Sequence, residues 1–329
     1  MELEWPLPEC SIDLRDAFFG EVNEAAMSDS RVVVVTDDQA AWKLEWLRQN
    51  RPRQYINIGV AEQNLIGVSA GLALSGKRPV AFGIANFMTA RCLEQIRNEL
   101  CAMELPVTLV VLGAGFSYSH DGPTHHAVQD VAIMRALPGM VVLNPADAAS
   151  TADAARFAHG YGMGPVYVRL ERGTPGRLYP EDHDFAPGFQ VFGQAGDALL
   201  VATGNMVHRA LEAAWLLIEQ GIRVSVMDMY RLKPVQAPFL AHALARYDVV
   251  VSLEEHTLNG GLGSIVSEII TDYGLKSALL RIGLPNRFDF IYGTREALQD
   301  MAGLGADQIA SQVKLLLGGR QRGRSTRKG

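Results

Sequence analysis

The chain has 329 residues, 48% of them hydrophobic and 20% charged, with a formal net charge of −6. That length fits about two domains with substantial cores, and the mild acidity argues against a nucleic-acid surface. No apolar run approaches the roughly 20 residues that span a bilayer. The N-terminus is acidic and proline-interrupted, unlike a signal peptide. Cys10, Cys92 and Cys101 have no metal-ligand spacing, so buried thiols in a reducing compartment, and a cytoplasmic protein, are expected.

Residues 11–27 read as a helix opened by Ser11 and Asp13, with Leu14, Ala17, Phe18 and Val22 on one face. The run 31–35 is continuous and apolar, as in a strand buried on both faces. It ends in Thr36-Asp37-Asp38, at the carboxyl end where open α/β sheets place ligands. A short β-type run then ends in Gly59, and small residues up to 74 predict a closely packed helix with Glu62 near its start. The neighbours of Glu62 are too apolar to solvate a carboxylate, so it needs a partner or a proton. A helix-start acid favoured by the dipole is the plainer explanation.

Further strands are predicted at 79–84, 107–112, 140–143 and 165–170, with helices at 87–104, 131–137 and 147–159, the last opened by Asp147. Such alternation predicts a parallel sheet covered on both faces. Residues 173–192 are rich in proline, glycine and charge without periodicity and read as a linker. A second alternation has strands at 198–202, 223–229 and 249–253 and helices at 207–220, 265–273 and 307–317, giving a smaller α/β domain. The basic stretch 320–328 has no apolar periodicity and reads as a solvated end. Gly204-Asn205 and Gly260-Gly261-Leu262-Gly263 lack the dinucleotide-binding spacing; tight turns explain them.

Between the third strand and its helix lies Ser119-His120-Asp121-Gly122-Pro123-Thr124-His125-His126, polar and histidine-rich at another strand's carboxyl end. Asp and His in this density can hold sugar hydroxyls, bind metal or shuttle protons. No helical histidine pair or nearby cysteine supports metal, and a solvated loop also accommodates the pattern.

Ile58-Gly59-Val60-Ala61-Glu62-Gln63-Asn64 together with Asp121-Gly122-Pro123-Thr124-His125 resembles the transketolase family of thiamine diphosphate enzymes. Phe87 with Arg91, Glu94-Gln95-Ile96-Arg97-Asn98, Leu143-Asn144-Pro145-Ala146-Asp147 and Glu254-Glu255-His256 followed by Gly260-Gly261-Leu262-Gly263 match as well. The resemblance covers residues 11–317 and implies an α/β fold of two parallel-sheet, three-layer domains. These are a thiamine diphosphate pyrimidine-binding domain (1–175), a linker (176–195), a transketolase C-terminal domain (196–318) and a disordered basic tail (319–329). The Gly-Asp-Gly…Asn motif that holds diphosphate and a divalent cation is not found in this sequence. The resemblance therefore implies one half of a split transketolase, inactive alone. Its partner is an N-terminal subunit holding the diphosphate and Mg²⁺ or a similar cation, in an α2β2 complex with no nucleic acid or membrane.

By the same resemblance, Glu62 hydrogen-bonds the ring nitrogen of the aminopyrimidine and favours its imino tautomer, while Phe87 stacks on the ring. Asp38 matches an acid near the thiazolium, and Ile84 and Arg91 complete the cofactor set. Asp121 and His125 match residues on the hydroxyls of a ketose donor, His125 with a catalytic role. Arg169 matches a substrate-phosphate arginine, an ion pair at the domain junction being the alternative. Departures cluster at the substrate end. Trp42 stands where Ser or Thr is usual, Gly113 where His is frequent, Ile84 where an aromatic is common and His120 where Glu is usual. They imply ketol transfer to an acceptor more apolar or bulkier than an ordinary sugar phosphate. The β subunit of a 2-oxo acid dehydrogenase, a 1-deoxyxylulose 5-phosphate synthase relative and a non-catalytic scaffold subunit are the alternatives.

Overall fold

The computed structural model describes residues 6–325. Helix α1 (Leu14–Ser28) starts where the Asp13 side chain accepts from the Arg15 amide, satisfying a donor that a bare helix start leaves open. Strand β1 (Val32–Thr36) is buried along its whole length, as four valines with helices on both sides require. Next come α2 (Trp42–Asn50), β2 (Tyr55–Asn57), α3 (Glu62–Leu74) and β3 (Arg78–Ile84). A helical stretch follows in which wide π-type turns, Phe87–Arg91 and Ile96–Cys101, flank the short α4 (Leu93–Gln95). The first run closes with β4 (Thr108–Leu112), α5 (Asp130–Ala136), β5 (Val141–Leu143), α6 (Ala148–Tyr161) and β6 (Val166–Leu170).

The second run holds β7 (Gln190–Phe192), β8 (Ala198–Ala202), α7 (Met206–Ile218), β9 (Val224–Asp228), β10 (Arg231–Lys233) and α8 (Ala237–Leu244). It ends with β11 (Val249–Thr257), α9 (Leu262–Asp272), β12 (Ala278–Leu284), α10 (Arg295–Met301) and α11 (Ala306–Ser325). Two sheets result, ordered β10-β5-β6-β4-β3-β1-β2 and β12-β11-β8-β9-β7. Each is parallel except for one three-residue edge strand, β10 against β5 and β7 against β9. The parallel α/β layers are those expected; the antiparallel edges are additions. Strand β10 returns from the second run to the first sheet and so ties the two halves together.

Alternation along the strands splits the apolar residues between two faces of the first sheet. Val32, Val34, Phe82 and Val110 pack with α1, α2 and α6. Val33, Val35, Ala81 and Val111 face α3 and the π-turn stretch. That second core continues through Leu199, Val201, Met227 and Val250 of the other sheet, so one apolar interior joins both.

The segment read as a linker is packed instead. Leu178, Tyr179, Phe185 and Phe192 are buried, and the Tyr179 hydroxyl donates to Asp228 at 2.7 Å. Helix α11 runs to Ser325, so the tail expected to be disordered from 319 is helical backbone that far; its last four residues, 326–329, lie outside the described residues. All three cysteines are free thiols; burial pushes Cys92 up to about 12 and Cys101 up to about 11. Among the described residues no helix is long and apolar enough to cross a membrane.

Candidate functional site

The carboxyl ends of β1, β2 and β3 bring the central residues together. After β2, Gly59 turns the chain at φ +72°, a conformation that glycine adopts without strain, and α3 begins three residues later with Glu62. The Gly59 amide donates to Asn57 Oδ1 at 2.9 Å, and Asn57 Nδ2 donates to Asp38 Oδ1 at 2.9 Å, stitching two loops to each other. Asp38 itself sits exposed at φ +74°, a left-handed position that turns its side chain away from the interior.

Glu62 is 3% exposed and accepts from Arg91 Nη1 at 2.7 Å. This is the partner its burial demands. Arg91 keeps 47% of its side chain in solvent and lays its guanidinium 4.5 Å from the Phe87 ring centroid. Phe87 and Arg91 bound one wide π-type turn, a distortion that recurs at functional sites. The Phe87 ring meets His125 edge to face at 4.9 Å. His125 Nδ1 lies 3.0 Å from Thr124 Oγ1, and Asn86 Nδ2 donates to the Thr124 carbonyl at 2.6 Å. Glu62, Arg91, Phe87 and His125 thus form one connected series. Ile84, at the end of β3, is half-buried a few residues before it. Asp121 is exposed at the tip of the histidine loop.

Three residues depart from the expectation. Arg169 is 3% exposed; its Nε donates to Asp130 Oδ2 at 2.7 Å and its Nη2 to the Ala127 carbonyl at 3.0 Å. The Tyr167 hydroxyl donates to the same Asp130 oxygen at 2.7 Å. A substrate phosphate could reach Arg169 only by displacing Asp130, so this guanidinium is part of the interior. Gly113 leaves no empty space, because the Tyr118 ring folds over it and a Cβ there would overlap that ring. Tyr118 in turn stands 5.7 Å from His125 and under Arg172. Trp42, at the start of α2, is 82% exposed.

Asp37 was not among the expected site residues. It is 3% exposed, and its Oδ1 has no hydrogen-bond partner among the described residues. Burial first and the charge of Glu62 second push its carboxyl up to about 7. The signal was present: an acid directly after a strand of four valines and a threonine has nowhere wet to go. Far from these groups, a cavity of about 300 Å³ lined by Phe18, Glu21, Arg78, Arg156 and His159 lies at the amino ends of β1 and β3, across the sheet from Glu62. It lacks the carboxyl–aromatic–histidine series, and the chemistry is at the other edge. There, a buried carboxyl beside an aromatic face can hold a flat ring by one of its nitrogens, and the neighbouring histidine can bind or move a proton.

Comparison with known proteins agrees with this geometry. Residues 11–176 match the family model "Transketolase, pyrimidine binding domain" and residues 190–309 match "Transketolase, C-terminal domain". One of the two subunits of the apulose-4-phosphate transketolase of Actinobacillus succinogenes is 33% identical over 84% of this chain and 89% of its own length. A putative transketolase C-terminal section of Methanocaldococcus jannaschii is 35% identical, over 87% and 90%. A solved split gene transketolase, described as an inactive beta4 tetramer, is 35% identical with a TM-score of 0.83, covering 93% of this chain and 98% of that one.

Proposed function

The chain belongs to the transketolase family, and from that premise we propose that it is one subunit of a two-chain enzyme moving a two-carbon ketol unit from a ketose donor to an aldehyde-type acceptor. Thiamine diphosphate is the cofactor of this reading, completed by a partner chain that holds its diphosphate and a divalent cation, in an α2β2 complex. The observation that carries it is Glu62, a carboxyl sunk at a helix start beside the Phe87 ring and within reach of His125. Relatives described as a subunit or a section, matched over nearly their whole length, support the division of labour.

An aminopyrimidine fits the residues present. Glu62 offers a desolvated carboxyl to a ring nitrogen, Phe87 offers a half-buried flat face, and Asp37 has a buried oxygen still lacking a donor. When bound, thiamine diphosphate supplies the stabilised carbanion chemistry that two-carbon transfer requires. Glu62 holds and orients the ring through one hydrogen bond in a site too buried for water to compete. Arg91 holds the Glu62 carboxylate in place and balances its charge. Thr124 and Phe87 fix the His125 ring, which leaves Nε2 as the polar atom for a donor hydroxyl or a proton in transit. Asp121 stands at the loop tip as a second group for hydroxyls. The burial of Arg169 and the exposed Trp42 indole favour an acceptor more apolar or bulkier than a sugar phosphate.

The test is reconstitution with a chain carrying the diphosphate-binding domain. Ketol transfer should appear only with both chains and thiamine diphosphate, and Glu62→Gln should lower turnover about 10²–10⁴-fold while the complex still assembles. Full activity in Glu62→Gln would leave a scaffold role instead. In the same assay, ribose 5-phosphate outcompeting non-phosphorylated aldehydes as acceptor would overturn the acceptor reading.

A further inference from the structure

Two buried carboxyls meet where β1 and β3 end, and one of them has a cation. Glu62 is paired with Arg91. Asp37, beyond the end of β1, lies over Gly83, where an added Cβ would come within 2.5 Å of Asp37 Oδ2. Glycine at 83 thus makes room for the carboxyl. The titratable groups around Asp37 are Glu62 from α3, Asp38 from its own loop, Cys92 from the π-turn stretch and Tyr118 from the loop after β4. None of these is a cation, and the nearby guanidinium of Arg91 is engaged by Glu62. Two carboxylates sharing one guanidinium out of water cannot both stay charged at neutral pH. Backbone hydrogen bonding at Asp37 and Ile84 offsets only part of the effect.

We propose that Asp37 is a positioning residue for Glu62, the two carboxyls sharing one proton that the ring nitrogen of an aminopyrimidine requires. This rests on the reading of Glu62 given above. A carboxylate and a ring nitrogen are both acceptors, so a hydrogen bond between them needs a proton. In the resting chain Glu62 is bound to Arg91 and the proton belongs to Asp37. As the ring arrives, the O–H bond on Asp37 breaks and one forms on Glu62, while the negative charge passes to Asp37. No other reactant is consumed. The unpartnered Asp37 Oδ1 is the atom that this exchange exposes to a ligand N–H.

The full chain and the reconstituted complex test this separately. In the full chain alone, difference infrared spectra between about pH 6 and pH 9 should show a protonated-carboxyl band, part of which Asp37→Asn removes. Glu254 and Asp228 also retain protons by burial, so the part lost in the variant is the diagnostic. In the complex, thiamine diphosphate affinity, followed by tryptophan fluorescence, should fall about tenfold per pH unit on the alkaline side. Asp37→Asn should bind more weakly at neutral pH and lose that alkaline limb; Asp37→Ser serves the same comparison if asparagine does not fold. An infrared band untouched by Asp37→Asn, or parallel alkaline limbs in wild type and variant, would overturn the proposal alone. A complex that binds no thiamine diphosphate at any pH would overturn the functional reading as well.

Discussion

At Gly113 the chain turns through φ +103°, and the Tyr118 ring occupies the space that a side chain would take. Alanine there meets both a strained backbone and a blocked site, so Gly113→Ala should cost about 2–4 kcal/mol in urea unfolding. Pairing it with Tyr118→Ala should recover the part due to overlap but not the part due to φ; a double variant no more stable than Gly113→Ala would contradict this account. From sequence, Gly113 looked like an absent side chain, because nothing local says that a ring five residues on will fold back over it. Glu62 was legible for the opposite reason: its apolar neighbours on the same helix already deny it water. Asp37 and Asp38 are adjacent acids, and which of them enters the interior depends on the left-handed turn at Asp38. Residue spacing carries no sign of that turn.

The same contrast holds for whole elements. Continuous apolar strands and the helices between them were legible because burial on both faces demands their composition. The edge strands β7 and β10 are three residues each, too short to show a period, and α2 presents mostly charged and exposed residues. The segment read as a linker fails the periodicity test yet is held by Asp147. That carboxylate caps α6 by accepting from the Ser150 amide at 2.8 Å, and its other oxygen accepts from the Leu178 and Tyr179 amides at 2.9 and 3.0 Å. One side chain therefore starts a helix and anchors the connection between the halves. Removing it strands three buried donors, so Asp147→Ala should cost about 2–4 kcal/mol. Limited proteolysis should then cut first within 173–192. Equal stability with an unchanged cleavage pattern would show that the capping carboxylate carries little of this load.

On the scale of the whole chain, the two α/β layers read from alternation share one apolar interior, and the polar part of their junction is centred on Arg295. Its Nη2 lies 2.5 Å from Glu255 Oε2 and 2.8 Å from Glu171 Oε2, with all three side chains nearly buried. The Phe116 amide donates to Glu255 at 3.0 Å and the Asn205 amide to Glu171 at 2.8 Å, so both halves of the chain converge on these acids. The Glu254-Glu255-His256 motif was visible in sequence, but its cation lies forty residues later in a stretch without strong periodicity. Burial alone would raise Glu255; the charge of Arg295 and its hydrogen bonds outweigh burial and hold it below the usual carboxylate value of 4.5. A depressed carboxylate contributes stability that is present above its unfolded value and is lost as pH falls through its folded value. Arg295→Met keeps the bulk and removes the charge, leaving two buried carboxylates uncompensated, so it should cost about 3–5 kcal/mol near neutral pH. The deficit should shrink as the medium is acidified through about pH 4, because protonation relieves the variant while wild type loses its ion pair. Urea midpoints of both proteins across that range measure it. A deficit that stays constant with pH would mean that Arg295 acts by filling space rather than by charge.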